Sequence, residues 1–194
     1  MAPDPADDIA RTLRILVVCS ANQCRSPLAE ASLLAEAGAR GLPVSVRSAG
    51  TQAMPGVPAT GPTVDAARKL GRDLTGHRSA VVAASSVAAA DVVVGLERRH
   101  VQELVVLQPG TFSRTFTLKE LGRRGRDVGP RPADEPVPVW LARVHTGRRP
   151  TDMLGASPDD DVADPTGSRA ADHLTTAEDI DQMAVELLEL LFPR

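Results

Sequence analysis

The sequence predicts an α/β fold in which a four-stranded parallel sheet is covered by helices on both faces. Short apolar runs alternate along the chain with longer stretches of helical periodicity. Strands that alternate with helices form right-handed βαβ crossovers, which make neighbouring strands parallel. The chain has 194 residues, of which 42% are hydrophobic, and a chain of this length commonly forms one domain.

The first residues do not belong to this pattern. Residues 1–12 begin MAPDPADDIA, which carries acids and prolines where a signal peptide would carry positive charge and then an apolar run. We therefore predict a mobile N-terminal tail at 1–12, a single domain at 13–194 and a cytoplasmic location. Uninterrupted aliphatic runs are only a few residues long, so no insertion into a membrane is expected.

The elements of the domain follow in order. The apolar runs predict strands at 15–18, 44–46, 91–96 and 112–116. The stretches of helical periodicity predict helices at 27–40, 63–70, 80–89 and 98–107.

The last helix has the clearest pattern in the chain. Thr175 and Glu178 form a capping box that predicts its start. The apolar positions that follow recur at the i, i+3, i+4 spacing of a helix packed on the sheet: Ile180, Met183, Ala184, Leu187, Leu188 and Leu191.

The segment from about 121 to 163 breaks the alternation. It contains GRRGRDVGPRPADEPVP and the acidic PDDD, a composition typical of an irregular excursion or a mobile arm. Within it, Trp140, Leu141 and Val144 have the spacing of a helical patch that covers either the core or the mouth of a site.

The strongest chemical signal follows the first strand. Cys19 ends that strand, and Ser26 with Pro27 predict an N-cap and the first helical position, so the residues between them form a strand-to-helix turn. Backbone N–H groups and the helix dipole make such a turn an anion cradle, and both favour a thiolate. Arg25 can bind two oxygens of a tetrahedral oxyanion above that sulfur. The spacing C-x5-R-S therefore predicts phosphoryl transfer to sulfur, with phosphate bound by Ser20, Ala21, Asn22, Gln23, Cys24, Arg25 and Ser26.

Other uses of the two cysteines are less consistent with the sequence. Two cysteines do not make a disulfide framework, and a zinc site needs about four ligands where only two cysteines and four scattered histidines exist. We therefore expect no metal and no cofactor. A net charge of −3 gives no general affinity for nucleic acid, so no nucleic-acid partner is expected.

The loop CSANQCRSPLAE, residues 19–30, resembles the active-site loop of the low-molecular-weight protein tyrosine phosphatases, bacterial type. Four further motifs recur in that family's order: VRSAGT at 46–51, GHRS at 76–79, DVVVGLERRH at 91–100 and DP at 164–165. The resemblance covers about 13–120 and 160–192. It implies a flavodoxin-like three-layer fold with the site at the carboxyl end of the first strand.

The resemblance also implies roles for individual residues. Cys19 matches the family's nucleophile, Arg25 its phosphate-binding arginine, and Asp164 its general acid, with Asp159, Asp160 and Asp161 as nearby rivals. Cys24 matches a second cysteine that can trap the nucleophile reversibly as a disulfide. The residues that match the network supporting the loop are Asn22, Ser26, Ser48 and His77.

The resemblance implies a metal-independent phosphomonoesterase that hydrolyses phosphotyrosine, or another phosphorylated residue, in a protein substrate. The positions that match the aromatic substrate slot are Met54 and Thr166. The absence of aromatic residues at these positions weakens ring stacking on phosphotyrosine. Gln23 stands where tyrosine-directed members resemble one another in an isoleucine and arginine-directed members in a threonine. A protein arginine phosphatase is therefore the alternative.

Two other activities are less consistent with the residues. The thioredoxin-coupled arsenate reductases of this fold need further cysteines, and this chain has none beyond Cys19 and Cys24, so a reductase would need an external thiol. A non-catalytic phosphate-binding module needs neither a nucleophile nor an acid, so the presence of Cys19, Arg25 and Asp164 together speaks against it.

Overall fold

The computed structural model describes residues 12–194 and contains a parallel sheet of four strands in the order β2-β1-β3-β4. The strands are β1 (Leu13–Cys19), β2 (Val44–Gly50), β3 (Val92–Gly95) and β4 (Thr115–Thr117). This sheet confirms the predicted α/β architecture. Except for Thr12, the predicted tail lies outside the described residues.

Helices cover both faces of the sheet. In chain order they are α1 (Arg25–Ala39), α2 (Gly61–Lys69), α3 (Ala84–Ala89), α4 (Arg98–Leu107), α5 (Leu118–Val128), α6 (Val137–His145) and α7 (Ala170–Leu191), with 3₁₀ turns at Phe112–Arg114 and Pro150–Met153. All contacts between neighbouring strands are parallel, as crossover connections require.

The central strand β1 divides the core. Ile15, Val17 and Cys19 belong to the larger cluster of buried apolar residues, and Leu16 and Val18 belong to the smaller one. This alternation follows from the two-residue period of a strand. The main cluster also holds residues of α1 and α7, so Cys19 ends β1 on the same side of the sheet as these two helices.

Some predicted boundaries shift because the chain pairs with distant residues. The predicted helix 80–89 begins only at Ala84, since Val81 bridges to Gly50 and Val82 N donates to Gly50 O. The predicted strand 112–116 is a 3₁₀ turn until Arg114 and a strand from Thr115.

The predicted start of the last helix was wrong. Helix α7 begins at Ala170, and Asp172 accepts a hydrogen bond from Arg169 N at 3.1 Å. Thr175 lies inside the helix, where its hydroxyl donates to Ala171 O at 3.3 Å. Acidic side chains near a helix start serve the same capping purpose as a capping box, so with Asp172 the cap lies at Arg169, more than one turn before Thr175.

The segment expected to be irregular between 121 and 163 instead holds the end of α5, all of α6 and a 3₁₀ turn. Trp140 is fully buried in the main core, and its Nε1 donates to Gly129 O at 2.9 Å. A Cβ on Gly125 would lie 2.8 Å from Leu190 Cδ1 and 3.2 Å from the Trp140 ring. The helical patch around Trp140 therefore covers the core.

A buried ion pair anchors the same segment. Arg148 Nε lies 2.7 Å from Glu120 Oε1, its NH2 lies 2.9 Å from Glu120 Oε2, and both side chains are at most 2% exposed. The Arg148 guanidinium also lies 4.3 Å and 4.0 Å from the ring centroids of Phe112 and Phe116. The low charge density of guanidinium suits this mixed polar and aromatic surrounding.

Candidate active site

The turn from Cys19 to Ser26 joins β1 to α1 at the carboxyl edge of the sheet. Cys19 is 3% exposed, and its Sγ lies 3.0 Å from Ser26 Oγ. Helix α1 begins at Arg25 with Cys24 as the flanking residue, so the predicted N-cap at Ser26 was wrong by two residues. The earlier start frees the Ser26 hydroxyl from capping and leaves it to contact the sulfur.

Asn22 holds the turn in a strained shape. Its φ of 53° is left-handed, a region that asparagine tolerates better than most residues. Its Nδ2 donates to the hydroxyls of Ser26 and Ser48, each at 2.9 Å, and its Oδ1 accepts from Ala80 N at 2.8 Å. His77 Nε2 lies 2.7 Å from Asn22 O. The structure thus brings the four residues of the expected supporting network together.

Two further features keep the turn in place. A Cβ on Gly50 would lie 2.4 Å from Ser20 O and 2.9 Å from Asn22 N, so only glycine lets the end of β2 approach this closely. Ser48 Oγ also donates to Glu30 Oε2 at 2.5 Å, which orients the hydroxyl that receives the Asn22 amide.

Arg25, the first residue of α1, is buried and only 1% exposed. Its NH1 donates to Glu97 Oε1 and to Val162 O, the latter at 2.9 Å, and its NH2 donates to Asp164 Oδ2 at 2.7 Å. The guanidinium therefore connects the turn to the start of α4 and to the loop before α7. Arg25, on the same turn as Cys19, therefore contacts Asp164 although the two are 139 positions apart in the chain.

Asp164 is the most exposed of these groups, with a side chain 39% exposed. Thr166 donates to its Oδ1 from both backbone N, at 3.1 Å, and Oγ1, at 2.8 Å. Burial alone would raise the pKa of this carboxyl, but Thr166 and Arg25 outweigh burial and hold the pKa below its usual range.

Three residues at the start of α4 were missed in the sequence. Glu97 binds Arg25 and also Arg99, whose NH2 donates to Ser20 Oγ at 2.7 Å. His100 is fully buried with Nε2 3.1 Å from Ser20 Oγ, and burial lowers its pKa to about 4, so the ring is neutral. Burial opposes ionisation of Glu97, but Arg25 and Arg99 outweigh it and lower the pKa of the carboxyl. Glu97 comes directly after β3, and the carboxyl ends of parallel strands meet at one edge of the sheet. Its place after a strand could therefore have predicted that Glu97 lies near the Cys19 turn.

The Cys24 sulfur contacts a buried polar pair, Thr63 and His173. Its Sγ accepts from Thr63 Oγ1 at 3.0 Å and lies 3.9 Å from His173 Nδ1. Burial raises the pKa of the Cys24 thiol to about 11, so this thiol stays protonated at neutral pH. Both cysteines are free.

The positions expected at the substrate slot lie at the surface. Met54 is 69% exposed and Thr166 is exposed beside Asp164, while Gln23 is half-buried and its carbonyl accepts from Thr60 N at 3.1 Å. None of the three is aromatic.

Two other features are absent from residues 12–194, a membrane-spanning helix and a cluster of metal ligands. From residue 12 onward, none of the helices combines the length and apolar character needed to cross a bilayer. Within the same range, no three His, Cys, Asp or Glu side chains are grouped closely enough to ligate a metal ion.

Comparison with known proteins gives consistent results. A family model described as low molecular weight phosphotyrosine protein phosphatase matches residues 14–128, more than half of the chain. A Ralstonia nicotianae protein, named probable low molecular weight protein-tyrosine-phosphatase EpsP, is 37% identical over 108 residues, or 55% of this chain and 71% of that protein. A protein-arginine-phosphatase from Bacillus subtilis is 38% identical over 107 residues, or 55% of this chain and 70% of that protein.

The fold extends the similarity beyond the matched sequence. The crystal structure of a low molecular weight protein tyrosine phosphatase from T. tengcongensis superposes with a TM-score of 0.70 at 28% identity. The superposition covers 92% of this chain and 99% of that one.

Proposed function

Because the chain belongs to the low molecular weight phosphotyrosine protein phosphatase family, we propose that it hydrolyses phosphotyrosine in protein substrates through a phosphocysteine at Cys19. The observation that carries the proposal is that Arg25 lies between the Cys19 turn and Asp164, hydrogen-bonded to Asp164 at 2.7 Å. The two unpaired cysteines support a cytoplasmic location, where thiols stay reduced.

In the first step the Cys19 sulfur attacks phosphorus. The S–P bond forms while the bond between phosphorus and the ester oxygen breaks, and Asp164 gives its proton to the leaving oxygen. The Ser26 hydroxyl stabilises the sulfur anion at 3.0 Å. Arg25 and the backbone N–H groups of residues 20–26 bind the three equatorial phosphoryl oxygens. These oxygens share the negative charge of the transition state.

In the second step water attacks the phosphocysteine. Asp164, now a carboxylate, takes a proton from that water, the S–P bond breaks and the Cys19 thiolate is restored with release of inorganic phosphate. The thiolate can leave because the Ser26 hydroxyl, 3.0 Å from the sulfur, can donate a hydrogen bond to it.

Asp164 must carry a proton to act in the first step, although Arg25 and Thr166 lower its pKa in the free protein. A bound phosphate ester engages Arg25 and brings its own negative charge beside the carboxyl. Both changes raise the pKa of a carboxyl group, so substrate binding itself favours the protonated acid.

Replacement of Asp164 by alanine tests this role. We expect kcat/KM for phenyl phosphate to fall about 10²-fold, because phenolate is a poor leaving group without a proton. The fall for p-nitrophenyl phosphate should be several times smaller, since its phenol is far more acidic. The measurement is the initial rate at substrate concentrations below KM. An equal loss for both esters would mean that another group supplies the proton.

Gln23 is the position at which the substrate question can be tested. Its polar side chain can hydrogen-bond a guanidinium, with Asp164 as the charged partner, and this supports a protein arginine phosphatase as the second candidate, alongside the relative from Bacillus subtilis. An isoleucine at this position would remove that hydrogen bond and favour an aromatic ring.

The deciding experiment compares phosphotyrosine and phosphoarginine peptides of one sequence on the wild type and on Gln23→Ile. We expect the wild type to hydrolyse the phosphotyrosine peptide, and the substitution to shift the kcat/KM ratio about tenfold further toward phosphotyrosine, the value of one hydrogen bond to a charged group. Inactivity of the wild type on both peptides would overturn the proposed function. An unchanged ratio would show that Gln23 does not select the substrate.

A further inference from the structure

We propose that Asp160 is a positioning residue that holds Asp164 in place for proton transfer, an inference that rests on the proposed function. Asp160 lies four positions before Asp164 in the loop from 154 to 169 that connects the 3₁₀ turn at Pro150–Met153 to α7. It takes no part in the reaction steps described above. Its contacts nevertheless connect this loop to two helices beside the site.

Asp160 is a buried carboxylate with two cationic partners. It is 1% exposed, its Oδ2 accepts from Arg98 Nε at 2.8 Å, and its Oδ1 accepts from Arg123 NH2 at 2.9 Å. Burial alone would raise the pKa of Asp160, but Arg123 and Arg98 outweigh it and keep the carboxyl ionised. A buried charge needs such partners, so the loop cannot move here without separating an ion pair between α4, α5 and itself.

The next two residues extend the attachment toward the site. Asp161 Oδ1 accepts from Arg98 N at 2.8 Å, which satisfies a free backbone donor at the start of α4. Val162 N donates to Leu96 O at 2.8 Å, and Val162 O accepts from Arg25 NH1 at 2.9 Å. Three consecutive residues therefore fix the loop to the start of α4 and to Arg25.

Asp164 itself has few fixed contacts. Its side chain is 39% exposed, and its hydrogen bonds go to Thr166 in the same loop and to Arg25. The bond to Arg25 is the one that a bound phosphate replaces, because the guanidinium has to turn its donors to phosphoryl oxygens. With substrate bound, the position of Asp164 then depends on the anchor formed by Asp160, Asp161 and Val162.

The same anchor is coupled to the phosphate-binding group. Glu97, one residue before α4, binds Arg25, and Arg98, the first residue of α4, binds Asp160. Two consecutive residues, Glu97 and Arg98, therefore hold both Arg25 and the loop that carries Asp164. Arg25 keeps its own ion pair with Glu97 when Asp160 is lost. Since a displacement of about 1 Å in a catalytic group can cost up to 10²-fold in rate, loosening this anchor should slow proton transfer more than it weakens phosphate binding.

The test is Asp160→Asn, which keeps the size of the side chain and removes its charge. Asp159→Asn is the matched control, because Asp159 is adjacent, of the same type and exposed. Arg123→Gln is a second variant that weakens the same ion pair from an exposed side chain, 46% exposed, without placing a new group in the core. Circular dichroism melting establishes that each variant is folded at the assay temperature.

The measured quantity is kcat/KM for two esters. Phenyl phosphate has a poor leaving group that needs the proton of the acid, and p-nitrophenyl phosphate has a good leaving group that needs it less. In Asp160→Asn we expect about a tenfold loss for phenyl phosphate and no more than about a twofold loss for p-nitrophenyl phosphate. Arg123→Gln should show the same selectivity with a smaller loss, about threefold. Asp159→Asn should match the wild type on both esters.

Two results would overturn the proposal. If folded Asp160→Asn loses the same factor on both esters, or on neither, Asp160 does not position the acid. If Asp159→Asn shows the same selectivity as Asp160→Asn, the effect comes from charge in the loop and not from the buried ion pair. A wild type that hydrolyses neither ester would instead overturn the proposed function, and with it the step that Asp160 serves.

Discussion

Replacement of Cys19 by serine is expected to lower kcat/KM for an aryl phosphate by at least about 10⁴-fold. A serine hydroxyl stays protonated at neutral pH and is a poor nucleophile unless a general base activates it. Replacement of Cys19 by alanine should abolish the covalent phosphoenzyme, because alanine leaves no nucleophilic atom at this position. Mass spectrometry of acid-quenched wild type during turnover should show one added phosphoryl group, and Cys19→Ala should show none. EDTA should leave the wild-type rate unchanged, since a thiolate nucleophile requires no metal-bound hydroxide.

The matched control for this experiment is Cys24→Ser. The Cys24 sulfur contacts Thr63 and His173, and a hydroxyl can keep those hydrogen bonds, so the loss should stay within about tenfold. A Cys19→Ser protein that retains near wild-type activity would contradict the covalent route. So would a rate that falls with EDTA and returns with added divalent metal.

Replacement of Arg25 by lysine is expected to lower kcat/KM by about 10³-fold, the scale on which a lost oxyanion donor acts. Lysine keeps the positive charge, but a single ammonium cannot bind two phosphoryl oxygens in the planar geometry of guanidinium. It also cannot reach Glu97, Val162 and Asp164 together, as Arg25 does. Inhibition by inorganic phosphate, measured with the same ester, should weaken in parallel.

Arg47→Lys is the control for this second substitution. Arg47 lies exposed on β2, next to Ser48 and on a strand paired with β1, so it reports the general effect of an arginine-to-lysine change near the sheet. We expect its kcat/KM to stay within about twofold of the wild type. If Arg25→Lys had the same kinetics as Arg47→Lys, the proposed role of Arg25 in phosphate binding would be wrong.

Much of the site could be predicted because its chemistry is local. The turn between Cys19 and Ser26 is made by neighbouring residues, and a cysteine, a serine and an arginine at these spacings have a chemical meaning before any fold is known. The strands and the last helix were predictable for a similar reason, since their periodicity repeats within a few residues. The start of the last helix was not, because several polar residues near it can cap and only Asp172 accepts from Arg169 N.

Features that depend on distant partners could not be read from the chain. Burial of Arg148 with Glu120 anchors a segment whose composition, apart from the helical patch at Trp140, predicted an irregular excursion. Likewise, nothing local distinguishes Asp160 from its neighbours Asp159 and Asp161, although only Asp160 is fully buried between Arg98 and Arg123.

The sequence alone thus predicts the strand-to-helix turn, the parallel strands and the candidate nucleophile Cys19, since these follow from neighbours in the chain. The packed structure decides which carboxylate lies against Arg25, which one is buried between Arg98 and Arg123, and that Cys24 stays protonated. The physical reason is that ionisation and ion pairing depend on burial and on the distance between charges, and the fold brings those groups together from positions as far apart as Arg25 and Asp164.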